Sequence, residues 1–177
     1  SCSFGTLGNA TISGTNIAIS VMPIVSLTNL APTFAISPFA TINPASGSTN
    51  NFTTPKFYTV TAQSGSNKQY KVTVTTWPYW GSLYVMTTPE GANLPSSVAE
   101  TNFPILVRLS SNNFNFSQAT TNGADIRFYT PTGTTLSYQI EEWSTNTGSA
   151  SCWVRIPIIK GNTNQEIRMC WGLASAT

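Results

Sequence analysis

Short runs in which apolar and polar residues take turns dominate this chain, and no stretch repeats its apolar positions every three to four residues. Ile17, Ile19 and Val21 are interleaved with Ala18 and Ser20, and Phe34 and Ile36 with Ala35 and Ser37. Tyr58, Val60 and Ala62 alternate with Thr59 and Thr61; after Ser64-Gly65-Ser66-Asn67 the pattern resumes with Tyr70, Val72 and Val74. A period of two belongs to a strand with one buried face. Two such runs around a short Gly/Ser turn predict a β-hairpin. At Trp77-Pro78-Tyr79-Trp80-Gly81 the pattern breaks, because Pro78 interrupts pairing and Gly81 loosens the backbone. Beyond it, strands are predicted at 82–86, 103–110, 124–130, 136–143, 151–159 and 165–171, with Lys160-Gly161-Asn162-Thr163-Asn164 as a hairpin loop between the last two.

The break divides the 177 residues into a first domain at 1–76, a short aromatic linker at 77–81 and a second domain at 82–177. Trp77, Tyr79 and Trp80 have two readings: packing at a seam, or an exposed platform for sugars. Ala10-Thr11-Ile12-Ser13-Gly14-Thr15-Asn16-Ile17, Pro44-Ala45-Ser46-Gly47, Phe57-Tyr58-Thr59-Val60-Thr61-Ala62 and Lys71-Val72-Thr73-Val74 together resemble a bacterial immunoglobulin-like surface domain. That resemblance implies a spacer. Asn102-Phe103-Pro104-Ile105-Leu106-Val107-Arg108-Leu109, Asn122-Gly123-Ala124-Asp125-Ile126-Arg127-Phe128, Tyr138-Gln139-Ile140-Glu141-Glu142-Trp143 and Cys152-Trp153-Val154-Arg155-Ile156-Pro157 are similar to a bacterial secreted domain of unknown function. It is a domain that commonly neighbours concanavalin- or laminin-G-like sandwiches. The expected fold is all-β: a small immunoglobulin-like sandwich, then a jelly-roll or concanavalin-like one.

Composition narrows the setting. Charged residues are 8% of the chain, against roughly a quarter in typical soluble domains. Ser, Thr, Asn and Gly fill the surface instead, which predicts an extracellular or cell-surface protein. The net charge is +2, with no basic run, which gives no footing for nucleic acid. Residues 1–76 carry three lysines and no acid; all four arginines lie in the second half. No window is long and apolar enough for a membrane span. The abrupt ends predict a monomeric piece of a longer exported protein. The motifs at Asn9, Asn51 and Asn115 fit a glycosylation pattern that a bacterial chain does not use.

Candidate chemistry is sparse. The chain has three cysteines and no histidine, which leaves neither a catalytic triad with a histidine base nor zinc spacing. Cys152 shares the core side with Val154 and Ile156, whereas Cys170 alternates with Ile167, Met169 and Trp171 and turns outward, so no disulfide between them is expected. Glycoside hydrolysis needs two carboxyl groups roughly 5–9.5 Å apart. Glu141 and Glu142, adjacent in a strand, should point to opposite faces, and Asp125 with Glu141 is the one conceivable dyad. No catalytic residue, cofactor or metal is assigned; structural calcium at Asn122 and Asp125 is the single ion considered. Taken literally, the alternation of the second domain puts Arg108, Asp125, Arg127, Glu141, Trp143, Trp153 and Arg155 on the non-core side. These form a candidate ligand-binding face. Flat indoles can stack on pyranose C–H faces, and guanidinium forks suit carboxylated or sulfated glycans. The expected function is a non-catalytic carbohydrate-binding or adhesive module for polysaccharide. The alternatives are a ligand-free spacer with a ladder of surface ion pairs and, remotely, a glycoside-active enzyme.

Overall fold

The structure is a computed structural model that describes every residue except Asn9 and Thr177, so the glycosylation motif at Asn9 lies outside the described residues. The chain divides into two compact units, Ser1–Thr76 and Trp77–Thr177. Each is all-β and built as a β-sandwich with its own core.

In the first unit the strands are β1 (Cys2–Ser3), β2 (Thr11–Ser13), β3 (Asn16–Val21), β4 (Thr33–Phe34), β5 (Thr41–Asn43), β6 (Lys56–Thr61) and β7 (Asn67–Thr76). A five-stranded sheet runs in the order β2-β3-β7-β6-β5, and β1 pairs with β4 in a second layer. The alternating positions behave as their period demands. Ile17, Ile19 and Val21 on β3, Tyr58 on β6, and Val72 and Val74 on β7 are buried against Cys2, Phe4, Leu30 and Phe52. Each such side chain contributes roughly 1.5–3 kcal/mol by leaving water. The β6–β7 hairpin forms about the predicted turn, with Thr61 opposite Asn67. One pairing has no local signature: β3 lies parallel to β7, from Asn16 opposite Lys71 to Val21 opposite Thr76. The strand expected at 34–37 shrinks to Thr33–Phe34.

The second unit has β8 (Tyr79–Met86), β9 (Ala99–Ser110), β10 (Arg127–Tyr129), β11 (Thr135–Leu136), β12 (Tyr138–Ser144), β13 (Ser149–Lys160) and β14 (Asn164–Trp171). One sheet runs β11-β10-β14-β8 and the other β12-β13-β9. Val107, Leu109, Cys152, Val154 and Ile156 from the three-stranded sheet and Phe128, Leu136, Ile167 and Met169 from the four-stranded sheet fill the space between.

Three expectations are corrected here. The stretch 77–81 is not a free linker: Tyr79 opens β8 opposite Trp171, and the indole N–H of buried Trp77 donates to the Tyr129 hydroxyl at 3.1 Å. The strand expected at 136–143 is two strands in different sheets, with the chain crossing over at Ser137. The loop at 160–164 is not a hairpin, because β13 and β14 belong to opposite sheets. Buried Thr87 ties that crossing by donating from its hydroxyl to the Lys160 and Thr163 carbonyls. A Cβ at Gly161 would collide with the Pro95 carbonyl, so the close approach requires glycine.

All three cysteines are free and buried. Burial pushes the thiols of Cys2 and Cys152 up to about 11 and that of Cys170 up to about 12. Cys170 has the outward phase read from the sequence, yet it is covered; it sits opposite Arg127 on one side and Trp80 on the other.

Candidate functional site

The seven residues expected to share one face do not share one. Alternation assigns each side chain to the inside or outside of its own sheet, and the second unit has two sheets with two opposite outer faces. Arg108, Glu141, Trp153 and Arg155 lie on the three-stranded sheet, whereas Asp125 and Arg127 precede or begin β10 of the other.

Asp125 is also not exposed. Its fractional exposure is 1%. One carboxylate oxygen accepts the Thr120 amide at 2.9 Å and the Thr120 hydroxyl at 2.8 Å; the other accepts the Gly172 amide at 2.9 Å. The strand expected from 124 starts only at Arg127, so alternation has no authority over Asp125. Asn122, the second residue considered for calcium, accepts the Ala124 amide and the Thr120 hydroxyl, each at 3.1 Å. These oxygens close a turn. Among the described residues no group of three or more His, Cys, Asp or Glu gathers around a point. Arg127 is half-buried and clamps its surroundings: it donates to the carbonyls of Ala124 and Ile126 and to the Tyr138 hydroxyl at 2.9 Å, and also to the Ala176 carbonyl.

Trp143 is displaced by a β-bulge. Ile140 pairs with Cys152, but Glu142 pairs with Ser151, so Glu141 is an extra residue on β12. A bulge reverses the phase that follows it. Glu141 and Glu142 therefore both reach solvent rather than opposite faces, and Trp143, opposite buried Ala150, turns inward. There it meets Phe114 and Phe116 edge-on at centroid distances of 5.7 and 5.3 Å.

Four of the seven remain together on the outer face of the three-stranded sheet. Trp153 stands on the central strand, 39% exposed, between Gln139 of β12 and Leu106 of β9. Its indole N–H donates to the Glu141 carboxylate at 3.1 Å. Arg155, two residues along and about 7 Å away by strand rise, lies opposite Pro104 and reaches the Ser137 hydroxyl at 3.4 Å. Arg108 lies opposite Ser151, on the other side of Trp153. The expected ladder of ion pairs is missing. Among the described residues the ion pair is Arg168–Glu166, on the other sheet, and neither Arg108 nor Arg155 has a described carboxylate within 4 Å. The face is thus a fixed, half-exposed indole between two unpaired guanidinium groups.

Two concavities lie away from it. One of about 570 Å³ opens over residues 111–117, lined by Ser, Asn and Phe. The other, about 280 Å³, belongs to the first unit and is mostly apolar, with Ile12, Phe34, Ile42, Tyr58 and Tyr70 among its walls. Neither is lined by a carboxylate. Leu106 beside Trp153, and Pro104 and Ser137 beside Arg155, are not legible in the sequence, because no local pattern tells which strands will lie beside β13.

Residues 1–74 match the family model described as SGBP, N-terminal, a name that denotes a glycan-binding protein. Residues 122–177 match the model of a domain of unknown function, DUF2341. The likeness of residues 1–74 is to a bacterial surface-type domain. No curated protein matches the chain. Among solved structures, a candidate glycoside hydrolase from Bacteroides thetaiotaomicron aligns at 16% identity over 96% of this chain and 88% of that one, with a TM-score of 0.42. No helix among the described residues is long and apolar enough to cross a membrane.

Proposed function

We propose that this chain is a non-catalytic glycan-binding module of a bacterial surface protein, and that the outer face of the β12-β13-β9 sheet is its binding site. The observation that carries the reading is Trp153, exposed at the centre of the face and held by Glu141 between two unpaired arginines. An indole fixed before binding loses little rotamer freedom when a sugar ring stacks on it. Arg108 and Arg155 supply donors to ring hydroxyls and, more strongly, to carboxylates or sulfates, so the favoured ligand is an anionic polysaccharide. A flat sheet face suits a polymer lying across it better than a small molecule that needs enclosure. The likeness of residues 1–74 to a glycan-binding family supports the class of ligand. The carboxylates support the non-catalytic part: Asp125 is buried in a turn, and Glu141 and Glu142 are sequence neighbours at a β-bulge, both exposed, and line neither concavity.

The test is retention of the full chain in native gels containing pectin, alginate or heparin. Trp153→Ala and Arg155→Ala should each weaken retention at least tenfold, about 1.4 kcal/mol, and leave the melting temperature within a few degrees of the parent. Added salt should weaken the parent's binding, because exposed charge contacts are screened. Unchanged retention in both variants, or no retention of the parent on any glycan, would leave the ligand-free spacer as the reading.

A further inference from the structure

The opposite face of the second unit carries a different aromatic arrangement. On β8, an edge strand of its sheet, Trp80, Ser82 and Tyr84 point outward in succession. Trp80 is 40% exposed and Tyr84 is 62% exposed. Four residues along a strand place the two rings about 13 Å apart. Isolated exposed rings are ordinary on protein surfaces, but here the space between the two is filled by a closed polar row. Ser82 donates to Glu166 at 2.6 Å, Arg168 pairs with the same carboxylate at 2.8 Å, and Arg168 donates onward to the Pro131 carbonyl at 3.1 Å. The Arg168 guanidinium also lies over the Trp80 ring, 5.4 Å from its centre, a cation–π contact. Hydrogen bonds from Arg168 and Ser82 hold the Glu166 carboxyl below its usual range, so the pair is charged and self-neutralised at neutral pH.

We propose that this face is a second glycan site, in which Trp80 and Tyr84 stack on two separated rings of one uncharged polysaccharide strand. The inference rests on the glycan-binding reading of the chain. Its ligand class differs because the charge differs: the arginines beside Trp153 are unpaired, whereas the arginine beside Trp80 is already matched by Glu166. An anion gains little here, and an apolar partner would have to cover the ion pair. A neutral sugar strand can lay its C–H faces on both rings and its hydroxyls along the Ser82-Glu166-Arg168 row. The second unit then presents one anionic-glycan face and one neutral-glycan face on opposite sheets.

The experiment uses the full chain in native gels cast with hydroxyethylcellulose, galactomannan or amylopectin, beside the anionic gels described above. Light scattering gives its mass. Trp80→Ala and Tyr84→Ala should each weaken retention on at least one neutral gel fivefold or more, and the double variant should run free. Tyr84→Phe should keep most retention, since it keeps the ring. Trp153→Ala should leave neutral retention within twofold. Tyr84 is the safer position for folding, and a thermal melt identifies any variant that fails to fold. Neutral retention unchanged in the Trp80/Tyr84 double variant overturns the second site, as does retention on anionic gels alone. So does a dimeric mass that Tyr84→Ala makes monomeric, which would assign the face to a second copy of the chain. Neutral retention that depends on Trp80 and Tyr84, with anionic retention indifferent to Trp153, keeps the second site and removes the first. No retention on any gel removes both.

Discussion

Asp125 shows how much one buried acid can organise. It is a carboxylate with no cationic partner, and it satisfies three donors from two separate loops. Replacing it with alanine leaves the part-buried amides of Thr120 and Gly172 without their acceptor, at roughly 1–3 kcal/mol each. Asp125→Ala should therefore lower unfolding stability by about 2–5 kcal/mol in urea titration. Asp125→Asn, which keeps one acceptor, should lose less. Protein still folded should bind glycan as before, and a stability equal to the parent's would show that these bonds hold little. The sequence did contain a warning against placing Asp125 on an exposed face. Asn122-Gly123 is a turn signal, and Gly123 has a φ of +68°, a conformation that favours glycine. Alternation applies within a strand and was carried into a turn.

At the scale of elements, the strands themselves were legible and their partners were not. Period two locates β3, β6, β7, β9, β13 and β14, because each buries one face and a slip of one residue would expose it. Period two contains no information about which sheet a strand joins. That is why Lys160-Gly161-Asn162-Thr163-Asn164 resembled a hairpin loop and is instead an arch between sheets. It also contains no warning of a bulge, and the extra residue in β12 decided the fate of Trp143. Inserting one alanine between Glu142 and Trp143 should turn Trp143 outward while Tyr138 and Ile140 still face the core. The expected loss is of the order of 3–5 kcal/mol, that of losing a large aromatic from a core. Glu141→Ala should cost far less stability, since it removes only an exposed contact to Trp153. Denaturant unfolding of the two variants separates the roles, and equal losses would contradict this account of the bulge.

At the scale of the whole molecule, all-β architecture follows from the absence of any helical period, and the scarcity of charge agrees with the likeness of residues 1–74 to a bacterial surface-type domain. The candidate face is legible only in part: Arg108, Glu141, Trp153 and Arg155 share one sheet, but alternation cannot show that Arg127 lies on the other sheet, Asp125 in a turn and Trp143 beyond a bulge. The parallel pairing of β3 with β7 has a consequence of another kind. Tension applied to the two ends of the first unit pulls Asn16 and Thr76 in opposite directions along neighbouring strands. The short β2 hairpin and the β1–β4 pair can peel open one bond at a time, but the β3–β7 ladder is loaded in shear, and all its bonds must give way together. Residues 1–76 should accordingly resist stretching with one dominant force peak, and Thr73→Pro, which removes from the middle of β7 an amide that faces β3, should lower that peak markedly in single-molecule pulling. A peak unmoved by the proline would place the resistance in some other pair of strands. Under the glycan-binding reading proposed above, drag on a sugar held by the second unit would reach the first through Thr76, where this ladder ends.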